Sequence, residues 1–332
     1  MRFNSLGLVL RGMVMGIAEV IPGVSGGTIA FITGIYKTLL DSIKSIDAEF
    51  LQLLSQFKLK QMWEKINGPF LLWLFGGMIA GIVVGVFGVT YFLENHPEVL
   101  WALFFGLILG SIPMVLSQIR SFDLKTIGLV ALGTLVAYGI TSLNPMSGSE
   151  NYLFIFIAGA IAISALVLPG ISGSFMLLLM GLYSTIIPTI KSFLKSPELS
   201  EFILLAVFGL GVITGLVLFS RLVSAAFDKY RDGTIALMSG FMLGSLNKIW
   251  PWRNVETILD KRTQEFVTVD SESIQSIDMT ADFVKVVKEN NVFPSEYFYD
   301  SNLIPAAIAF VVGLVLMIVV HKSGLMDNAT KP

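Results

Sequence analysis

The sequence predicts an all-α polytopic membrane protein built as an inverted repeat, each half a re-entrant helical hairpin followed by three transmembrane helices. Three observations carry this expectation. Of the 332 residues 54% are hydrophobic and 14% charged, whereas soluble domains carry about 25% charged residues; the long apolar runs also lack the strict alternation of barrel strands. A short motif occurs twice, as EVIPGVSGGT at 19–28 and LVLPGISGSF at 166–175, with Pro169 lying 147 positions after Pro22. That offset also superposes Gly34 on Gly181, Tyr36 on Tyr183 and Lys44 on Lys191, which marks an internal duplication. Finally, each copy is followed by three apolar spans. An odd number of crossings starts the second half on the opposite side of the bilayer, the plan of secondary transporters.

The first hairpin runs from Phe3 to Tyr36 and breaks at Pro22-Gly23. Its N-terminal apolar stretch has the look of a signal peptide, but Arg11 and Glu19 interrupt it, so cleavage is not expected. A lysine-bearing polar segment to Pro69 precedes spans at Pro69–Leu93, Val99–Ile119 and Thr126–Ser142. The second hairpin, Asn151–Ile190, holds no charge. As one straight helix it would reach roughly 60 Å, twice the hydrocarbon thickness, so it must fold back at Pro169-Gly170. Spans at Phe202–Ser220, Gly233–Asn247 and Ser301–Val320 complete the second half. The repeats are thus 1–145 and 146–332, the latter carrying a polar insertion at about 249–301. Strand is expected there at Glu265–Val269 and helix at Thr280–Lys288, with Trp250 and Trp252 as interfacial belt residues. Gly77 and Gly81 match Gly211 and Gly215 at an offset of 134, as do Gly106 and Gly110 with Gly240 and Gly244; such small-residue faces allow close helix contact in lipid. Lys and Arg placement puts both termini in the cytoplasm and the insertion outside, with Lys191 and Lys195 discordant.

Composition excludes several chemistries. With no Cys there are no disulfides and no thiolate sites, and only His96 and His321 are available for imidazole work. No metal site, cofactor or enzyme activity is expected, and a net charge of −2 gives no reason to expect nucleic acid.

The chemistry concentrates at the two corners. A helix starting after Pro-Gly-x-Ser would leave its first N–H groups without intrahelical partners and place Ser25 or Ser172 at the N-cap. If re-entrant, the two termini meet at mid-membrane and make a seat for an anion, a phosphate above all, without charged side chains. The candidate binding residues are Ser25, Gly26, Gly27 and Thr28 in the first copy and Ser172, Gly173 and Ser174 in the second. Glu19 and Arg11 are ionisable residues inside the first hairpin, and intramembrane charges are functional candidates. Neither has a charged counterpart, the equivalent positions being Leu166 and Ala158. Glu19 beside an anion seat suggests proton or sodium coupling. Arg221, at a span end, is a gating candidate whose plainer reading is a positive-inside anchor.

The stretches RGMVMGIAEVIPGVSGGTIAFITGIY and ALVLPGISGSFMLLLMGLY, the paired LGS segments and IWPW at 249–252 resemble the PopT-type polyprenyl-phosphate translocase family over nearly the whole chain outside the insertion. The resemblance implies a bacterial cytoplasmic-membrane protein that returns undecaprenyl phosphate to the inner leaflet for envelope polymer synthesis. It also makes the lipid the partner; a homodimer is left open. Three rival readings stand beside it, one of them a scaffold with no transport. The undecaprenyl-diphosphate phosphatase family uses similar corners but follows the Ser with Arg, where this chain has Gly26 and Gly173. A secondary transporter of a small anion would use the same corners with an aqueous cavity.

Overall fold

The computed structural model describes residues 4–20, 25–143, 149, 151–260, 262–263, 265–270, 274, 277 and 284–322. Pro22 and Gly23 of the first corner lie outside them. The first apolar segment forms α1 (Ser5–Val20) and α2 (Gly26–Ile32). Gly34, at φ +72°, ends α2 with a left-handed turn, and Gly181 repeats it at φ +70°. The lysine-bearing segment folds into three short helices, α3 (Tyr36–Lys44), α4 (Ala48–Ser55) and α5 (Leu59–Lys65). Asp47 caps α4 by accepting from Phe50 N, and Lys65 pairs with Asp47 and Glu49.

Three long helices follow: α6 (Gly68–Asn95), α7 (Pro97–Leu116) and α8 (Leu124–Thr141). Asp123 caps α8, and hydrogen bonds from the hydroxyl and amide of Thr126 hold its carboxyl below the usual range. The second copy gives α9 (Tyr152–Val167), α10 (Gly173–Leu179) and α11 (Tyr183–Lys195), then α12 (Leu199–Lys229), α13 (Arg231–Ser245) and α14 (Leu303–Lys322). Among the described residues α6, α7, α8 and α12 are long and apolar enough to cross a membrane, while α9 and α14 are shorter apolar helices. At 31 residues α12 outruns its expected bounds, because its last two turns leave the apolar stretch to reach α3.

Glycines set the packing. A methyl at Gly77 or Gly81 of α6 would stand 2.2 and 2.1 Å from the Val9 and Met13 carbonyl oxygens of α1. Gly211 and Gly215 of α12 meet Phe156 O and Ala160 O of α9 in the same way, at 2.1 and 2.5 Å. Val9 and Phe156, and Met13 and Ala160, are related by the 147 offset of the motifs, so the duplication seen in sequence recurs in contacts. Both pairs ascend together, so α1 runs parallel to α6 and α9 parallel to α12. The remaining helices pack across the two halves: Gly106 of α7 faces Phe310 O of α14, and Gly240 of α13 faces Val130 O of α8, each 2.2 Å from an added methyl. No Cβ fits at these points, and the close approach supplies the dispersion and weak CH···O contacts that hold helices together where lipid offers no hydrophobic drive.

The insertion is a three-stranded antiparallel sheet in the order β2-β1-β3, with β1 at Arg253–Asp260, β2 at Glu265–Thr268 and β3 at Val284–Asn291. The helix expected at 280–288 is not formed where it is described: Val284 to Lys288 belong to β3, paired with β1 from Val284 opposite Asp260 to Asn291 opposite Arg253. Val284, Val286 and Val287 are β-branched, and Val284 and Val286 pack on a small core of Val255, Ile258 and Val269. The tryptophans expected as belt residues have a packing role. The indole of Trp250 donates to Val292 O at 2.9 Å and meets Phe105 edge to face, and that of Trp252 donates to Ser301 O at 2.8 Å. They fasten the sheet to the helices.

Candidate functional site

The two corners touch. Ser25 donates its hydroxyl to Leu166 O at 2.8 Å, and Thr28 Oγ1 accepts from Gly170 N at 2.8 Å. Ser25, Thr28 and Ser172 are buried, Thr28 completely. Gly27 is what lets the chains come together, since a methyl there would stand 2.7 Å from both Leu166 O and Val167 O. Gly170 sits at φ +87° with its α-carbon turned to Phe241 O of α13, a position open only to glycine.

The donors expected to stand open at the first corner are already engaged. Gly26 N donates to Glu19 Oε1 at 2.8 Å, and Gly27 N donates to Ser25 Oγ at 3.1 Å. Glu19 therefore lies at the corner as the sequence suggests, but as its cap: a carboxylate on the positive end of α2 satisfies the N–H groups that the bilayer cannot. The second corner differs. No side chain caps α10, and Ser172 Oγ instead meets Ser174 Oγ at 2.9 Å. The reason is local, because Leu166 occupies the position equivalent to Glu19 and has only its carbonyl to offer, which Ser25 takes. Gly173 packs on Ala162 O of α9.

The outer candidates separate. Arg11 sits two turns before Glu19 on α1, half-buried. Arg221 is exposed on α12, its guanidinium at 3.5 Å from Ile46 O beside α3.

A cavity of about 970 Å³ opens from the corners toward the sheet. Its floor includes Glu19, Val20, Ser174 and Phe175; its walls include Trp101, Tyr138 and Leu178; its rim carries Lys248, Arg253, Lys288 and Glu289. Glu289 Oε2 accepts from Arg253 Nη1 at 3.1 Å and lies 3.5 Å from Lys248 Nζ. Lys248 sits over the Phe175 ring, 5.0 Å from its centroid, and Arg253 over the Trp101 ring at 4.7 Å. Burial pushes the Lys248 ammonium below the ordinary lysine value, opposed by Glu289. These rim residues were not found by reading the sequence. The signal was present in Lys248 and Arg253 flanking IWPW, but the pairing of β1 with β3 that delivers Glu289 is not local.

A lining that is polar at the rim and apolar along Val20, Phe175 and Leu178 suits an amphiphile with one anionic end. The comparisons with known proteins agree with that chemistry. The profile of a family described as undecaprenyl phosphate translocase-like matches residues 15–267. A "Polyprenyl-phosphate transporter" of Vibrio cholerae is 39% identical over 311 residues, covering 94% of this chain and 96% of the relative. A second protein of that name, from Staphylococcus aureus, is 34% identical over 257 residues, covering 73% of this chain and 85% of the relative. No solved structure matches the chain. Together with its apolar helices, the match across most of its length makes this chain a membrane protein that belongs to the undecaprenyl phosphate translocase-like family.

Proposed function

We propose that the protein is a translocase that returns undecaprenyl phosphate across the bacterial cytoplasmic membrane, with the phosphate passing between the two corners while the prenyl tail stays in lipid. The observation that carries this reading is the direct hydrogen bonding of one corner to the other, Ser25 to Leu166 and Gly170 to Thr28. Corners so joined form a single polar spot to which both halves contribute, the place where a transporter holds its substrate. The relatives' printed names supply the class of lipid.

In this reading the halves are inverted. That α6 starts beside α5 and α12 ends beside α3 supports opposite senses for their parallel partners α1 and α9, which on this reading are re-entrant arms. The sheet end faces outside, and α3–α5 with both termini face the cytoplasm. Rocking of the halves about the joined corners exposes the substrate to each leaflet in turn.

The test is flux of labelled polyprenyl phosphate in proteoliposomes. The Ser25→Ala, Ser172→Ala double variant is expected to transport at least tenfold more slowly, a loss of about 1.4 kcal/mol or more of barrier stabilisation. Gly27→Ala, which wedges the corners apart, is expected to be as slow. Native flux in both variants sinks the corner as substrate path, whereas release of inorganic phosphate from a polyprenyl diphosphate favours the phosphatase reading.

A further inference from the structure

We propose that Lys248, Arg253 and Glu289 form a capture site for a phosphate monoester at the rim of the cavity, in which the Glu289 carboxylate holds the place of the phosphate until it arrives. The inference rests on the translocase reading and adds to it a site contributed by the insertion, outside the duplicated helices.

The three side chains come from three elements: the short turn after α13, β1 and β3. Glu289 receives both cations on a single oxygen, Oε2. Nearby Lys288 is held by Glu256 Oε1 at 2.8 Å, so it neither competes for Glu289 nor adds a free charge. Two cations on one carboxylate leave a positive charge unbalanced, in a place where Arg253 is only 12% exposed and Lys248 and Glu289 27%. A phosphate monoester carries about −1.5 to −2 charges and three acceptor oxygens, so it balances this pair better than the carboxylate does. The guanidinium fork donates to two phosphate oxygens side by side, and its seat on Trp101 orients it beforehand.

The position fits the chemistry. Lys248 lies over Phe175, the third residue of α10, so the rim stands directly above the second corner. That corner's helix is the one with no side-chain cap, while the first corner is filled by Glu19. An anion arriving from the sheet end meets Lys248 and Arg253 before any corner amide. The apolar wall of Val20, Phe175 and Leu178 runs from there toward the membrane interior and accepts the first isoprene units.

Binding is read by intrinsic tryptophan fluorescence of the full chain in detergent, since Trp101 carries Arg253 on its face. The probes are farnesyl phosphate and inorganic phosphate. Lys248→Gln with Arg253→Gln is expected to weaken farnesyl phosphate binding at least tenfold. Glu289→Gln, which removes the competing carboxylate and keeps the shape, is expected to tighten it at least threefold. Arg253→Lys, with charge but no fork, is expected to fall between native protein and the double variant. Thermal unfolding of every variant shows whether the fold survives. Unchanged binding in the double variant, or weaker binding in a stable Glu289→Gln protein, overturns the capture site. Inorganic phosphate binding as tightly as farnesyl phosphate through the same residues overturns the lipid assignment. If the native chain binds farnesyl phosphate and moves polyprenyl phosphate in liposomes while the rim variants do both equally well, the rim alone is refuted. A native chain that binds no prenyl phosphate refutes the translocase reading itself.

Discussion

At Glu19 the carboxylate does what a bound anion would do, holding the Gly26 amide at 2.8 Å at the start of α2. On the proposed translocase reading, substrate phosphate and Glu19 would compete for that donor, and neutralising Glu19 would favour the substrate. Glu19→Gln separates the two properties of this side chain. The amide oxygen still accepts from Gly26, so melting in detergent should fall by no more than about 1 kcal/mol, the difference between a charge-assisted and a neutral hydrogen bond. Transport, measured in liposomes with an imposed pH gradient, should lose its response to that gradient. A variant that still responds would show that coupling lies elsewhere. The corner was legible at this scale because every part of it is local in sequence: proline, glycine, serine and an acid three residues before the proline. What the sequence did not disclose is that the acid itself caps the Gly26 amide.

Among the elements, α3 and α12 make a polar junction between the halves at the end away from the sheet, beside the bonds of Arg231 to Gln118 O and of Arg120 N to Asp232. Lys37 pairs with Asp41 at 2.7 Å and with Asp228 at 2.9 Å, while Ser224 donates to Asp41 at 2.6 Å and Lys44 lies 3.9 Å from Asp228. The lysines and Asp228 are about half exposed, so each pair contributes only about 0.2–1 kcal/mol. Such a junction is strong enough to bias a conformational equilibrium and weak enough to open. Asp228→Asn should raise the rate at which a thiol reagent reaches a cysteine placed at buried Val223 by about fivefold, the population change that 1 kcal/mol produces. An unchanged rate would mean that α3 and α12 do not part. The chain has no Cys of its own, so the label reports that position alone. Sequence reading found α12 as a span but stopped it at Ser220, because hydropathy fades where the helix leaves lipid while its hydrogen-bonded ladder continues.

For the whole molecule, the duplication could be read from sequence because it is written in glycines: Gly77 and Gly211, Gly106 and Gly240 recur at fixed offsets and meet equivalent carbonyls. The sheet was half legible. β2 showed as a polar-apolar run, but the charged 284–291 stretch resembles a helix in composition and becomes a strand only because β1 is there to pair with it. The rim was legible only in part: Lys248 and Arg253 flank IWPW in the sequence, whereas Glu289 joins them only once β3 pairs with β1. The same non-local logic governs the halves. α7 lies on α14 and α8 on α13, so residues 1–145 contain two helices whose packing faces belong to the other half. Expressed alone, that segment should insert but resist thermal and protease challenge far less than the full chain, and co-expression with 146–332 should restore resistance. Equal resistance of the lone segment would refute the exchange.

The crossing of α7 with α14 bears on how the chain is born. Helix α7 is synthesised long before α14, so the Gly106 groove has no protein partner until Phe310 has been made. A ribosome that stalls before residue 303 would release a chain in which that groove stays bare.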